Sequence, residues 1–247
     1  MITFADRNDK TQLEKMWQSI FLEEDTVTGN FFENIFDSTV TPVIKVDGEI
    51  VSSLFLLDCR IGDYKGKCVY CAMTKYAHRG KGYMKKLLDF SYNYCTENNF
   101  DFLFLVPAEK SLFDYYEACG FSKFGISRVH TINDTIPNQR EMLKCDCQIE
   151  FDNSVAEYWA KACTVYGGEV TDFGFVFDDE EKVIRNANGK YENIPEKHKI
   201  SGTIIKGNIT FGEDYSPAMI KTENEKIKKI DCYIGITLEW ILWFMFF

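Results

Sequence analysis

The chain has 247 residues, of which 45% are hydrophobic and 15% aromatic, so it can bury a sizeable core and is not a disordered protein. Its formal net charge of −10 argues against nucleic acid as a partner, because phosphate contacts need clustered cations. No apolar segment is long enough to span a bilayer and the N-terminus lacks a signal-peptide core, so we expect a cytoplasmic protein with no membrane partner.

The first part of the chain predicts a short strand, two helices and three long strands. Asp47 and Gly48 are typical of a tight turn, so the first two long strands are expected to form a hairpin. The expected boundaries are Ile2–Phe4, Asp9–Phe21, a helical stretch over Phe31–Phe36, Pro42–Asp47, Glu49–Ile61 and Lys67–Tyr76.

The run from His78 to Met84 (His-Arg-Gly-Lys-Gly-Tyr-Met) lies between an apolar strand and a helical pattern. Two glycines spaced by one residue let the backbone turn tightly and aim consecutive N–H groups at one point. The positive end of the helix dipole lies at the same place, and Arg79 and Lys81 supply cationic side chains at the rim. The run therefore predicts a socket for a phosphate-bearing ligand, although it matches neither a P-loop nor the three glycines of a dinucleotide fold.

The segment after this turn shows helical and then strand periodicity. One helical face carries Met84, Leu87, Leu88, Ser91 and Cys95. The continuous apolar run Phe102–Val106 is typical of a strand that is buried on both faces. Strand, turn, helix and strand make a βαβ unit, in which we expect parallel strands and a right-handed crossover.

A further helix follows, and Gly120 ends it. Its apolar face carries Leu112, Tyr115, Tyr116 and Cys119. A strand from Lys123 to Ile132 is expected to continue the sheet. Residues 79–82 (Arg-Gly-Lys-Gly) and 116–121 (Tyr-Glu-Ala-Cys-Gly-Phe) together resemble the two motifs of the GCN5-related N-acetyltransferases (GNAT). The resemblance covers roughly the first half of the chain, and it departs from the family at Ala77, where the family has Gln or Arg.

The resemblance implies an α/β fold with a central twisted mixed sheet flanked by helices, and acetyl-CoA as the acetyl donor. The glycine turn would bind its pyrophosphate, and the backbone at the end of the preceding strand would pair with its pantetheine arm. Tyr116 would act as the general acid that protonates the leaving thiolate, with Tyr115 as the fallback. The expected cofactor-binding residues are Met73, Thr74, Arg79, Gly80, Lys81, Gly82, Tyr83 and Met84.

The base that would deprotonate the acceptor amine is less well defined. Glu23, Glu24 and Asp25 lie near the first helix pair and could take the proton, but three acids at a helix end are also typical of a solvated surface. His78 is expected to be structural.

The second half predicts a smaller α+β lobe. We expect domains at 1–135 and 141–247, joined by a turn-rich segment over Asn133–Asn138. The second domain contains an expected helix over Ser154–Cys163, and it has no second glycine turn for a cofactor. Residues 106–121 (VPAEKSLFDYYEACGF), 218–221 (AMIK) and 233–239 (YIGITLE) resemble segments of a bacterial branch with an added C-terminal lobe, the enhanced-intracellular-survival type. The apolar end, Trp240–Phe247, is interpreted as a core strand or as a tail that fills a cleft.

The nine cysteines are scattered singly. Alternation along a strand would point Cys68 and Cys71 to opposite faces, and Cys145 and Cys147 have no histidine partner nearby. This pattern favours buried free thiols, so we expect no disulfide and no metal site.

Together with the phosphate socket, the resemblance implies an N-acetyltransferase that moves an acetyl group from acetyl-CoA to a primary amine by direct transfer in a ternary complex. The acceptor is expected to be a small cationic molecule, because residues 141–247 contribute −7 of the net charge; the same acidity would equally serve solubility. A homo-oligomer is compatible with the sequence. The alternative is a non-catalytic acyl-CoA-binding sensor or scaffold, and a nucleotide-binding protein is disfavoured because the chain lacks a P-loop.

Overall fold

The computed structural model describes residues 1–21, 25–125, 129–132, 147–165, 169–171, 174–178, 182–185, 203–206, 210–211 and 218–234. The elements of the first 125 residues follow the predicted order. They are β1 (Ile2–Phe4), α1 (Lys10–Phe21), α2 (Asp25–Asn34), β2 (Pro42–Val46), β3 (Glu49–Ile61), β4 (Tyr64–Thr74), α3 (Tyr83–Glu97), β5 (Phe102–Leu105), α4 (Leu112–Ala118) and β6 (Ser122–Phe124).

The later elements are mostly short strands around one helix. They are β7 (Val129–Ile132), β8 (Cys147–Phe151), α5 (Asn153–Val165), β9 (Glu169–Thr171), β10 (Gly174–Asp178), β11 (Lys182–Arg185), β12 (Thr203–Lys206), β13 (Thr210–Phe211), β14 (Ala218–Lys221) and β15 (Cys232–Tyr233). No helix among these described segments is long and apolar enough to cross a membrane.

A mixed sheet forms the centre of the fold, which confirms the predicted fold class. Its strands run in the order β1-β2-β3-β4-β5-β14-β6. In addition, β8 pairs with the C-terminal end of β3, and β15 pairs with β8. Within the path from β1 to β6 only β4 and β5 are parallel, as the βαβ unit predicts. A second sheet has the order β13-β7-β12-β11-β10-β9.

Helices cover both faces of the first sheet. On one face α1, α2 and α5 pack through an aromatic cluster that contains Trp17, Phe31, Phe55, Tyr70 and Tyr158. On the other face α3 and α4 pack through Leu87, Leu88, Leu105, Tyr116 and Phe121. Alternate residues of β5 enter the two cores, as the continuous apolar run of that strand predicts.

The predicted division at 1–135 and 141–247 follows chain order, whereas the first sheet combines strands from both ranges. β14 lies between β5 and β6 and is antiparallel to both. β8 pairs with β3, and α5 packs on α2. The core around the predicted site is therefore completed by residues that follow the second sheet in the chain.

Three sequence expectations need correction or comment. The strand expected over Lys123–Ile132 is two strands in different sheets, and Gly125 with φ +76 interrupts it after β6. The hairpin at Asp47 and Gly48 is confirmed, because both residues have positive φ, as the tight turn requires. Glu23, Glu24, the linker Asn133–Asn138 and the tail Trp240–Phe247 lie outside the described residues.

The expected orientation of two cysteines is wrong, because β4 contains a bulge. Cys71 has φ +46, and Cys71 and Ala72 together face the single residue Leu54 of β3. The extra residue shifts the alternation of side chains, so Cys68 and Cys71 enter the same core. The thiols of Cys59, Cys68, Cys95 and Cys119 are free and buried.

A stability prediction follows from the contact between β4 and β5. The ring of Phe102, which is fully buried, lies directly over Gly66, where a Cβ would overlap it. We expect Gly66→Ala to lower the free energy of unfolding by about 1–3 kcal/mol, because a close-packed ring must move. Gly29→Ala is the matched control in α2, where nothing lies within 4 Å of the new methyl group. Gly29→Ala should be neutral or stabilising by up to about 1 kcal/mol, when the free energy of unfolding of both variants is measured by urea titration. Equal losses of stability in the two variants would contradict the account.

Candidate active site

A gap opens between the two parallel strands of the first sheet. The pairing of β4 with β5 runs from Gly66 and Phe102 to Cys68 and Phe104 and then stops. β4 continues for six residues to Thr74, still paired with β3. Because β5 itself ends at Leu105, β4 from Val69 to Thr74 has no strand partner on that side within the described residues, and this unpaired space is the strand gap. Ligands bind at the carboxyl ends of the strands in parallel sheets.

The glycine turn lies beyond the end of β4. Gly80 has φ +74 and Gly82 has φ +72, a region of backbone conformation that residues with a Cβ rarely adopt. Gly82 is the N-cap of α3 and offers no side chain to the helix, whose first internal hydrogen bond runs from the Lys86 amide to the Gly82 carbonyl. The first amides of α3, those of Tyr83 and Met84, consequently have no partner within the helix. Anion sites are often built from such a glycine turn at a helix N-terminus, and the phosphate site at this turn stays a prediction.

Arg79 is held at the mouth of the strand gap. Its Nε donates to the Thr74 carbonyl oxygen at 3.2 Å, and its guanidinium lies 4.0 Å from the ring centroid of Tyr76. The side chain remains exposed, and the described part of the chain gives it no carboxylate partner. Its positive charge is thus oriented but not neutralised.

A second cation lies on the turn itself. The Lys81 Nζ is 3.4 Å from His78 Nδ1, and the His78 ring stacks on Tyr83 with centroids 6.2 Å apart. These contacts give His78 a structural role in joining the turn to the first residue of α3. Lys81 itself is exposed, so a bound anion can be approached by its ammonium group.

The backbone N–H and C=O groups of the last two residues of β4, Met73 and Thr74, point in opposite directions. The Lys75 amide donates to the Val51 carbonyl at 2.9 Å, and the register pairs Met73 with Ser53. Because hydrogen-bonded and non-bonded pairs alternate along antiparallel strands, the backbone groups of Met73 point toward β3 and those of Thr74 point away from it. Of these two expected cofactor residues, Thr74 is the one whose amide faces the gap.

Tyr116 is held by the end of α4. The Phe121 amide donates to the Tyr116 carbonyl at 3.1 Å and the Gly120 amide to the Glu117 carbonyl at 2.9 Å. This is a Schellman ending, with Gly120 at φ +87 and the ring of Phe121 packed 6.0 Å from that of Tyr116. The spacing Tyr-x-x-x-Gly-Phe therefore has a structural cause, because it ends the helix and locks the tyrosine in place.

The two neighbouring tyrosines have different surroundings. Tyr116 is 8% exposed and lies in the core on the α3 face, whereas Tyr115 is 38% exposed. Burial raises the pKa of Tyr116 to about 12, so its phenol keeps its proton at neutral pH. Burial and the nearby Cys119 also raise the pKa of Tyr115.

No general base is assigned among the residues that the structure describes. Among the three candidate acids, Asp25 alone lies within the described residues; it begins α2, is exposed and accepts a hydrogen bond from Gln18 Nε2 at 3.0 Å. Sequence reasoning missed Lys221, whose side chain contacts the end of α4. Its strand, β14, is four residues long and begins 100 residues after the end of α4, so local periodicity carried no signal for that contact.

Comparisons with known proteins identify a family for the first half of the chain. A model of the acetyltransferase (GNAT) domain matches residues 2–124. No curated protein sequence matches the chain. Among solved structures, a GNAT-family acetyltransferase from Staphylococcus aureus is similar over 50% of this chain and 85% of its own length, with 23% identity and a TM-score of 0.44.

Two other solved structures have similar extents. A GNAT-family N-acetyltransferase from Escherichia coli, in complex with CoA, matches over 49% of this chain and 68% of its own, with 13% identity and a TM-score of 0.43. An Enterococcus faecalis protein described as a probable N-acyltransferase matches over 52% of this chain with 11% identity and a TM-score of 0.47, but over only 33% of its own length. On the match of the domain model, residues 2–124 of this chain are an acetyltransferase domain of the GNAT family.

Proposed function

We propose that the chain is an N-acetyltransferase that carries an acetyl group from acetyl-CoA to the primary amine of a small cationic molecule. Transfer is direct and takes place with both substrates bound. The observation that carries this proposal is that two features lie together at the C-terminal end of β4. The gap between β4 and β5 opens there, and the uncapped N-terminus of α3 lies beside it.

The cofactor has a natural path along these features. Its pyrophosphate lies on the amides of the turn from Arg79 to Met84, where Arg79 and Lys81 add positive charge. Its pantetheine arm enters the strand gap and pairs with the backbone of Thr74 as an added strand would. The thioester would then be held near the strand gap, where Tyr116 of α4 would supply the proton for the leaving sulfur.

Tyr116 supplies the proton that the chemistry needs. The amine nitrogen attacks the thioester carbonyl, the carbon–sulfur bond breaks, and the departing sulfur takes the phenol proton of Tyr116. The attacking nitrogen loses a proton to a base or to water, and the phenolate is reprotonated from solvent. An acid with a pKa of about 12 is fully protonated at pH 7, so it can act in every catalytic cycle.

The acceptor is inferred from charge. The chain carries 38 acidic against 28 basic residues, and the excess is concentrated after residue 140. A cationic amine would be attracted to such a protein and an anionic one would not. The amine must lose its proton before it attacks, and Glu23, Glu24 and Asp25 are the candidate groups that could accept it, directly or through water.

The test is release of free CoA thiol from acetyl-CoA in the presence of a panel of small amines. The proposal expects turnover with at least one polyamine, amino sugar or similar cation and none with anionic amino compounds. Tight CoA binding without turnover on any amine would instead support the acyl-CoA sensor.

The pH dependence gives a separate prediction. Burial raises the Tyr116 pKa to about 12, so the acid form persists to higher pH than in a free tyrosine, which titrates near 10. We expect kcat/KM to rise with pH as the amine loses its proton. We expect no decline in kcat/KM at any pH lower than about 10. A descending limb centred near pH 8–9 that disappears in Tyr116→Phe would support Tyr116 as the acid but contradict its raised pKa.

A further inference from the structure

Lys221 joins β14, the strand between β5 and β6, to the end of α4. Its side chain is only 18% exposed. Its Nζ donates to the Cys119 carbonyl oxygen at 2.9 Å and lies 3.2 Å from Asp89 Oδ1 in α3. The same ammonium group faces the ring of Tyr92 at 4.9 Å from its centroid. One lysine therefore ties β14, α3 and α4 together.

These contacts suit the end of a helix. Cys119 is the C-cap of α4, where carbonyl groups lack helical partners and the dipole is negative, so a cation stabilises this position. The lysine stem runs along Gly120, where an added Cβ would lie 3.3 Å from the Lys221 Cε. Gly120 is thus needed both for its positive φ and for the approach of the lysine.

The clamped segment is continuous with the acid tyrosine. The Phe121 amide, two residues after Cys119, bonds the Tyr116 carbonyl. Met219, from the same strand as Lys221, lies in the core that contains Tyr116. Any rotation or fraying of the last turn of α4 would move the Tyr116 ring relative to the strand gap.

We propose that Lys221 is a positioning residue for acetyl transfer: by holding the C-terminus of α4 it sets the place of the Tyr116 hydroxyl. This inference rests on the proposed function of Tyr116, and Lys221 itself touches no reacting atom. A residue that follows the second sheet in the chain would thereby affect the rate of acetyl transfer at the site on the first sheet.

The test is a double-mutant cycle in the full chain with Lys221→Met and Tyr116→Phe. Methionine keeps most of the stem but removes the charge, and Asp89 retains Lys85 as its partner at 2.8 Å. In the wild-type background we expect Lys221→Met to lower kcat about 10-fold with little change in the KM for acetyl-CoA, since misplacement of a catalytic group costs rate. In the Tyr116→Phe background the same substitution should have no further effect on kcat.

The matched control is Lys85→Met, which removes the other cation of Asp89 without touching the Cys119 carbonyl. It should leave kcat within about twofold, as surface ion pairs contribute little. An equal loss of kcat from Lys221→Met in both Tyr backgrounds would overturn the inference, because a general structural defect acts equally in both.

Hydrogen exchange provides a readout that needs no turnover. Lys221→Met should speed exchange of the Gly120 and Phe121 amides, and Lys85→Met should not. Unchanged exchange at both amides in Lys221→Met would also overturn the inference. If Tyr116→Phe alone keeps wild-type kcat, the proposed role of Tyr116 fails, whereas loss of activity in Tyr116→Phe with full activity in Lys221→Met removes only the role of Lys221.

Discussion

Tyr116→Phe is expected to lower kcat by about 10²-fold or more while leaving the affinity for CoA within about twofold. The substitution removes one hydroxyl from a buried ring and keeps the ring packed against Phe121 and within its core. The loss therefore reports on the proton and not on the packing. Steady-state thiol release, combined with calorimetric titration of CoA, measures the two quantities separately.

Tyr115→Phe is the matched control for this experiment. It removes the same group from the adjacent residue, which is more exposed and whose hydroxyl faces Cys119. We expect its kcat to stay within about threefold of the wild type. If the two variants exchange these behaviours, Tyr115 is the acid, and if neither loses activity the acid mechanism is wrong.

Gly82→Ala is expected to weaken CoA binding by about 10-fold or more. Gly82 has φ +72, and an alanine there costs roughly 1–2 kcal/mol unless the backbone turns away. That turn would redirect the amides that open α3, which are the groups proposed to hold the pyrophosphate. Space is not the cause, because nothing lies within 4 Å of the position of the new methyl group.

Gly62→Ala separates the site from the backbone penalty. Gly62 also has a positive φ, +56, and an equally open surrounding, but it lies between β3 and β4 at the far end of the hairpin. Both variants should lose similar stability in urea, and only Gly82→Ala should lose CoA affinity. Equal affinities in the two variants would show that the turn does not bind the cofactor.

Local patterns predicted the parts of the site that are built from neighbouring residues. The glycine turn, α3 and the buried β5 are consecutive in the chain, so periodicity and turn chemistry were enough to place them. The end of α4 was predictable for the same reason, since Gly120 and Phe121 are the residues that a Schellman ending requires.

Non-local features could not be predicted in this way. The insertion of β14 between β5 and β6 brings Lys221 to Cys119, about 100 residues away, and no periodicity reports such pairing. The bulge at Cys71 was hidden for a different reason. It adds one residue to an otherwise regular strand pattern and therefore reversed the expected orientation of that side chain.

The position of Thr74 shows how a small register change affects the site. Before the bulge, the backbone N–H and C=O groups of the odd-numbered residues of β4 point toward β5. The hydrogen bond from the Asp101 amide to the Lys65 carbonyl shows this direction. After the bulge the even-numbered Thr74 faces that side. The bulge therefore selects which amide the strand offers to a ligand in the gap.

The most direct test of the account is a crystal structure of the full chain with bound CoA. We predict that the pyrophosphate accepts hydrogen bonds from amides between Arg79 and Met84, with the pantetheine arm between β4 and β5 and its amide paired with Thr74. The sulfur should lie within hydrogen-bond reach of the Tyr116 hydroxyl. CoA bound at any other place, with the glycine turn and the strand gap unoccupied, would contradict the account.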